Sequence, residues 1–317
     1  MKIERVIPSR VKEFHSLKPA NLFSSEAWCN CYDERLQRYF ILDDSGKTIG
    51  GFVAFEGGKH GFKTLITPPF SPHIGLFAEE NKNNPVKINS FRKEIIEAIS
   101  DFIKTSQYAH YKLDFSPEWN DMQPMMWKKI HTTVRYTYRI DLTKSALEIT
   151  DNLDSSKRNK ISKASRDGLQ TNHNPNISLA MDMIRENLEG NKLPYHSEII
   201  QKILAFAAEK SQGIYSFTHK EEKILSVNIC VHDNKTAYNL LSAMNRMVPQ
   251  NQGSTFGLFQ SILHAQSKGL RVFDFEGSGV PEIEEFFRSF GGALTPYFSV
   301  SGGRWPFTWL LKIRRGV

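Results

Sequence analysis

Cysteine is scarce in this chain. There are three in 317 residues, Cys29, Cys31 and Cys230. An odd, sparse set builds no disulfide framework and points to a reducing compartment, expected to be the cytoplasm. Cys29 and Cys31 are too close in sequence for an ordinary bridge. No second Cys/His pair stands at zinc spacing, so no metal site is expected. No apolar run approaches the roughly 18–20 residues of a membrane span. The first residues, Met1 to Arg5, carry no apolar signal core. The chain has no G-x-S-x-G elbow for serine hydrolysis and no Walker A lysine loop. Its ten histidines show no H-x-x-x-H spacing on a helix, and His264 reads as a packed side chain.

What is present is a soluble, globular composition, with 40% hydrophobic and 24% charged residues. The length suits two domains of about 150 residues each. Phenylalanine is abundant, at 22 copies, which implies large cores and ring-lined pockets. The formal net charge is +7. That is either a plainly basic surface or a match to an anionic partner, such as a nucleotide-bearing cofactor, tRNA or a phosphorylated precursor.

The pattern of elements repeats. Residues 39–56 read as strand, turn, strand, and so do residues 215–232. Further strands are expected at 64–66 and 74–77. An amphipathic helix follows, with Phe91, Ile95, Ile99, Phe102 and Ile103 on one face and Ile96 at its margin. It matches the helix at 255–267, whose expected buried face is Phe256, Phe259, Ile262 and Leu263. Strand 113–115 matches 273–275, and the segment around Trp127 matches Phe286 and Phe287. Each copy is a hairpin, a third strand, a helix, a fourth strand, a helix and a fifth strand. The fold expected is α/β in the layered α+β sense, with two tandem domains, each a mixed, mostly antiparallel sheet flanked by helices. The expected boundaries are 1–143, a basic helical connector at 144–176, and 177–317. The connector opens with a capping box, Ser145 and Glu148. Its second helix carries Lys157, Arg158, Lys160, Lys163 and Arg166. Those five cations are either a solvated face or an anion-binding one.

The two copies differ at the loop before the long helix. Residues 78–89 hold Pro85 and no glycine. In the second copy, an apolar strand over 238–245 runs into a polar loop and a helix entered through Gly253. Such a loop can turn backbone N–H groups toward an anion, with the positive end of the helix dipole behind them. Close backbone approach favours glycine. Donor binding is therefore assigned to the second copy, at Asn245, Gln250, Asn251, Gln252, Gly253, Ser254 and Thr255. Glu276 follows the strand at 273–275. It is placed either as a general base or as a carboxylate holding the next turn. Tyr238 and Tyr297 could donate a proton to a leaving group, or serve as core phenols. Ser242 ends the strand beside Asn245. Ser278 and Arg288 are candidates for a phosphate or carboxylate, and Asp274 reads as a structural hydrogen-bonding residue.

Residues 152–168, 250–255 and 273–292 resemble the tandem-GNAT FemABX-like transferases. The first stretch is similar to the basic helix that opens that family's second domain. The second sits where GNAT enzymes carry Q/R-x-x-G-x-G/A, whose amides bind the CoA pyrophosphate. The third is similar to the closing segment. Thr255 departs from the glycine or alanine of that motif, and no long helical hairpin is inserted as in some Fem enzymes. The resemblance implies an N-acyltransferase that forms an amide on an amine acceptor. Its donor would be acyl-CoA, as a co-substrate rather than a tightly bound cofactor, or aminoacyl-tRNA. Its acceptor would be an amine such as that of a peptidoglycan precursor, with amino-sugar or peptide metabolism as other settings. The competing expectation is a non-catalytic pair of such domains that holds an anionic ligand or partner. A nucleic-acid-binding module working through Lys157 to Arg166 is a third.

Overall fold

A computed structural model describes the chain except residues 18–20, 60, 81–82, 210–211, 249–251 and 305–317. The chain divides into two compact units. One is Met1–Arg135 with Pro296–Val317, and the other is Tyr136–Thr295.

The first unit is built from β1 (Lys2–Arg5), α1 (Val11–Ser16), α2 (Glu26–Cys29), β2 (Leu36–Leu42), β3 (Thr48–Lys59), β4 (Phe62–Ile66), β5 (Phe77–Ala78), α3 (Pro85–Thr105), β6 (His110–Asp114) and α4 (Gln123–Trp127). β1, β2, β3 and β4 pair antiparallel in that order, and β4 pairs parallel with β6. The expected strand at 74–77 shrinks to the short β5, because Ile74 bonds two different segments. Its N–H donates to Asp114 O and its carbonyl accepts from Val53 N. α3 buries Ile95, Ile99 and Ile103 as expected. Ile96 is buried with them, whereas Phe91 and Phe102 are half-buried at the edge.

The second unit begins within β7 (His131–Asp141). It continues with α5 (Ala146–Asp151), α6 (Ser155–Arg166), β8 (Gln170–Asn172), α7 (Ile177–Gly190), α8 (Ser197–Glu209), β9 (Gly213–Lys220), β10 (Lys223–His232), β11 (Thr236–Met244), α9 (Gly253–Ser267), β12 (Val272–Asp274) and α10 (Pro281–Arg288). The strand order is β7, β12, β11, β10, β9, β8. Only β11 and β12 run parallel. The last strand, β13 (Ala293–Gly303), crosses the boundary and pairs with β6 of the first unit.

Each copy therefore supplies its fifth strand to the sheet built by the other: β7 lies beside β12, and β13 beside β6. This differs from a division into 1–143 and 177–317. Hairpin-like patterns identify local neighbours, but a fifth strand reached over a helix is placed by sheet pairing far away in sequence. Residues 144–176 are likewise no free connector. Ile161 and Ala164 of α6 join a core with Phe259, Ile262 and Phe273, and β8 extends the sheet along β9. The capping box of α5 forms as expected.

α9 is the central helix of this unit. Gly253, Gly257, Ser261 and Ala265 recur every fourth residue and are all buried, so one helix ridge has almost no side chain. Phe256, Phe259 and Ile262 are buried as well, while Leu263 is only partly covered. The small ridge lets the helix settle onto polar residues of the sheet. A Cβ at Gly257 would lie 2.3 Å from Thr218 Oγ1 and 2.9 Å from Asn228 Oδ1. We expect Gly257→Ala to cost about 1–3 kcal/mol of unfolding free energy, because backbone or sheet must shift to admit it. Chemical denaturation of the variant checks this, and an unchanged midpoint would contradict the close approach.

Candidate functional site

The site is built where two parallel strands part. β11 and β12 pair over three positions only, Thr236 with Val272, Ala237 with Phe273 and Tyr238 with Asp274. β12 ends there. β11 runs on to Met244, paired along its other edge with β10. Ser242 and Met244 are exposed on that open stretch. The N-terminal turn of α9 follows, and Gln252 at its N-cap makes no side-chain cap. A split in a sheet next to a helix N-terminus is a place that can receive an anionic guest.

Asp274 fixes the edge of the split. Its Oδ1 accepts from Thr137 Oγ1 at 2.6 Å and from the backbone N–H of Glu276 at 2.8 Å. Its Oδ2 accepts from Arg139 Nε at 2.6 Å. The turn that results puts Glu276 at φ +61° and Gly277 at φ +74°. Gly277 is required there, since a Cβ would stand 2.1 Å from the carbonyl oxygen of Tyr136. Glu276 has no such excuse. A non-glycine residue held left-handed is a strained position, of the kind found where function over-determines the backbone.

The Glu276 side chain is as unusual as its backbone. Oε1 is buried and has no hydrogen-bond partner. Burial, and then the neighbouring charge of Asp274, push its carboxyl well above the usual range. After burial, the same carboxylate raises the Cys230 thiol. The sheet under α9 is polar where a core would be apolar. Asn228 and Ser226 are buried, and Asn228 Oδ1, Ser226 Oγ and Gln252 Oε1 lack partners. Asn228 Nδ2 donates to Ser242 Oγ at 2.8 Å, and Ser242 Oγ donates to Asn239 Oδ1 at 3.4 Å. Asn228 Oδ1 and Ser226 Oγ, both close beneath Gly257, are orphaned buried atoms of the kind that mark a site awaiting a guest. Sequence reading missed Asn228 and Ser226. The available signal was polar residues at 216, 218, 226 and 228 on the inward face of two strands.

The fold is FemABX/GNAT-like. The chain is similar to FemX at 11% identity and a TM-score of 0.62, covering 94% of this chain and 97% of that one. L-PGS from Bacillus licheniformis shares 12% identity at a TM-score of 0.57, over 98% of this chain and 97% of its own. A tandem GNAT protein from the clavulanic acid biosynthesis pathway shares 9% identity at a TM-score of 0.51, over 95% and 98%. No protein-family model and no curated protein sequence matches the chain.

Within this FemABX/GNAT-like fold the two equivalent helix starts differ. Asn84 caps α3 through its own side chain, accepting from Val86 N and Lys87 N, and Pro85 follows. α9 has no such cap. Of the residues expected to hold a donor, Gln252, Gly253, Ser254 and Thr255 open α9, with Gly253 and Thr255 buried. Gln250 and Asn251 lie outside the described residues. Asn245 is engaged otherwise. Its Nδ2 donates to Ile224 O, its Oδ1 accepts from Met247 N, and its own N–H donates to Leu225 O. It anchors the loop to β10. Tyr238 sits in register beside Asp274, on the sheet face opposite Ala237. Tyr297 falls on β13, in the first unit.

Three further expectations meet local structure instead. Ser278 Oγ accepts from Val280 N and shapes the entry to α10. Arg288 pairs with Glu284 at 3.2 Å, and that carboxylate also accepts from the Tyr138 hydroxyl. On α6, Lys160, Lys163 and Arg166 are exposed, and Arg158 donates to Asp151 O at 2.6 Å. Lys157 leaves that face altogether. It is buried, with Nζ 3.7 Å from the ring centroid of Phe286 and 5.2 Å from that of Phe290. Burial, then Lys160, lower its amine to about 8. The sequence shows five charges in a row, but the helix turn decides which one points inward. Among the described residues no cluster of His, Cys, Asp and Glu could hold a metal ion, and no helix is long and apolar enough to cross a membrane.

Two pH effects follow from these groups. The Glu276 carboxyl binds its proton more tightly in the folded state, so stability falls as pH rises from 4.5 through the raised value. Glu276→Gln should match the wild type below pH 4.5 and melt higher at neutral pH, by about 2–4 °C for each kcal/mol relieved. Equal melting curves across the pH range would contradict the buried, unpaired carboxylate. Lys157 has the opposite sign. Its folded amine releases the proton near 8 against 10.5 when free, so stability rises with pH between those values. Lys157→Met should stabilise most below pH 8, with the gain fading above 10.5. A pH-independent gain would show that the amine is not desolvated.

Proposed function

We propose that this protein is an N-acyltransferase that forms an amide on an amine acceptor. The observation that carries the proposal is Glu276, a buried carboxyl oxygen without a partner, on a strained turn at the split between β11 and β12. Amine acylation requires the acceptor to lose a proton, and a carboxylate whose pKa burial has raised is a stronger base than a free one. The N-terminus of α9, where Gln252 makes no side-chain cap, points the positive end of its dipole toward the oxyanion or a donor phosphate. The unpaired oxygens of Glu276, Gln252 and Asn228 suit a group rich in N–H donors, such as an ammonium. Tyr238 on β11 is the proposed proton donor to the leaving group.

The likeness in fold to FemX, to L-PGS and to GNAT proteins supports acyl transfer as the reaction class. The donor in this proposal is acyl-CoA or aminoacyl-tRNA, bound transiently. Both carry phosphates, and the exposed Lys160, Lys163 and Arg166 of α6 supply countercharge. The acceptor is an amine of the kind borne by peptidoglycan precursors. Three buried free thiols fit a cytoplasmic setting.

Thermal stabilisation by acetyl-CoA and by alanyl-tRNA separates the two donors. The true donor at about 100 times its dissociation constant should add about 2.7 kcal/mol of stability. Gly253→Trp should abolish that response. Glu276→Gln should keep donor binding and lower turnover by about 10²–10⁴-fold. No stabilisation by either donor, with no turnover, would replace the enzyme by a binding protein.

A further inference from the structure

A cavity lies in the first unit, between the N-terminal half of α3 and the segment that leads into α4. Its volume is about 380 Å³, and Ile96, Trp119, Asn89, Asn120 and Gln123 line it. The charged groups at its rim are already paired. Arg92 holds Glu80 through Nε at 2.5 Å and Nη2 at 3.0 Å, and its Nη1 donates to Glu118 O. Lys93 donates to Gln123 Oε1 at 2.9 Å and pairs with Asp121 at 3.2 Å. What is left for a ligand is neutral. Among the described residues the exposed carboxamides of Asn89 and Asn120 make no hydrogen bond, and Gln123 keeps its Nε2. The indole N–H of Trp119 is engaged with Leu76 O, the ring packs against the core, and Arg92 Cζ lies 5.7 Å from its centroid, so only the remaining ring surface is left to present carbon to a ligand.

A carboxamide donates and accepts side by side, which matches a hydroxyl or an amide rather than an ion. An aromatic ring next to such groups packs against the C–H face of a sugar. A second ring, Trp127, is 64% exposed, and Lys93 Nζ lies 5.2 Å from its centroid, so it stands beside the same rim. We propose that this cavity binds a neutral pyranose, free or as one unit of a glycan. Paired cations and free carboxamides select against charged ligands, since an ion would find no unpaired countercharge. Because the cavity lies within the first unit, the proposal stands independently of the acyl-transfer site.

Calorimetric titration of the full chain with glucose, N-acetylglucosamine and their β-1,4-linked disaccharides tests it. Saturable binding with a dissociation constant of about 1 mM or tighter is expected, with glucose 6-phosphate and glucosamine binding more weakly. Tighter binding of the disaccharide than the monosaccharide assigns a glycan, and equal binding assigns a single sugar. The double variant Asn120→Ala/Gln123→Ala should weaken binding about 10-fold, as loss of two hydrogen bonds would. Trp127→Ala, at an exposed position, provides a second readout that leaves the fold intact. No saturable binding of a neutral sugar overturns the proposal. So does binding that both variants leave unchanged, or stronger binding of the charged sugars.

Discussion

Asp274 is the joint on which the second unit depends. One buried carboxylate ties Thr137 and Arg139 on β7 to the backbone of Glu276, and so ends β12 while β11 continues. A buried carboxylate that accepts from a guanidinium, a hydroxyl and an amide has most of its lone pairs satisfied, which makes its burial tolerable. The same bonds force the left-handed turn. The strain at Glu276 and the parting of the strands are thus two outcomes of one constraint. A carboxylate with partners sits two residues from one without, and the paired residue creates the position of the unpaired one.

The helix above the split follows a related logic. α9 is buried on most of its circumference, yet its sheet-facing ridge is Gly253, Gly257, Ser261 and Ala265. Large side chains there would lift the helix and open an apolar core. Small ones bring it down onto Thr218, Asn228 and Ser226, whose polar atoms then lie beneath its N-terminal half. At the other end the same sheet face turns apolar through Ile214, Cys230, Ala237 and Phe273. The unit therefore has a dry end that stabilises it and a polar end whose orphaned atoms lower its stability. That division is expected where stability is traded against binding.

Duplication gave two frameworks, and local chemistry made them unequal. In the first unit the long helix begins at Pro85 behind an asparagine cap, and Phe77 and Ala78 pair against β3 at Gly50 and Gly51. In the second, the N-cap residue Gln252 makes no side-chain cap. The first unit instead carries its own cavity, set between α3 and the loop before α4, with its charges neutralised in place.

Much of this was legible in the sequence because it is local. The periodic apolar faces of α3 and α9, the capping box at Ser145, the hairpins and their repetition all depend on residues within a few turns of one another. So did the contrast between Pro85 and Gly253. The exchange of β7 and β13 was not legible, since strand pairing across more than a hundred residues leaves no periodic trace. Nor was the fate of single side chains. Lys157 and Lys160 look alike in sequence, but only the packing of α6 against α10 sends the first into an aromatic slot. Asn245 looked like a ligand contact and became an anchor, because its amide met the free carbonyl of Ile224. The sequence by itself determined the elements and their order. The tertiary structure alone decided which polar atoms found partners, and Glu276 Oε1, Gln252 Oε1, Asn228 Oδ1 and Ser226 Oγ are among those that did not.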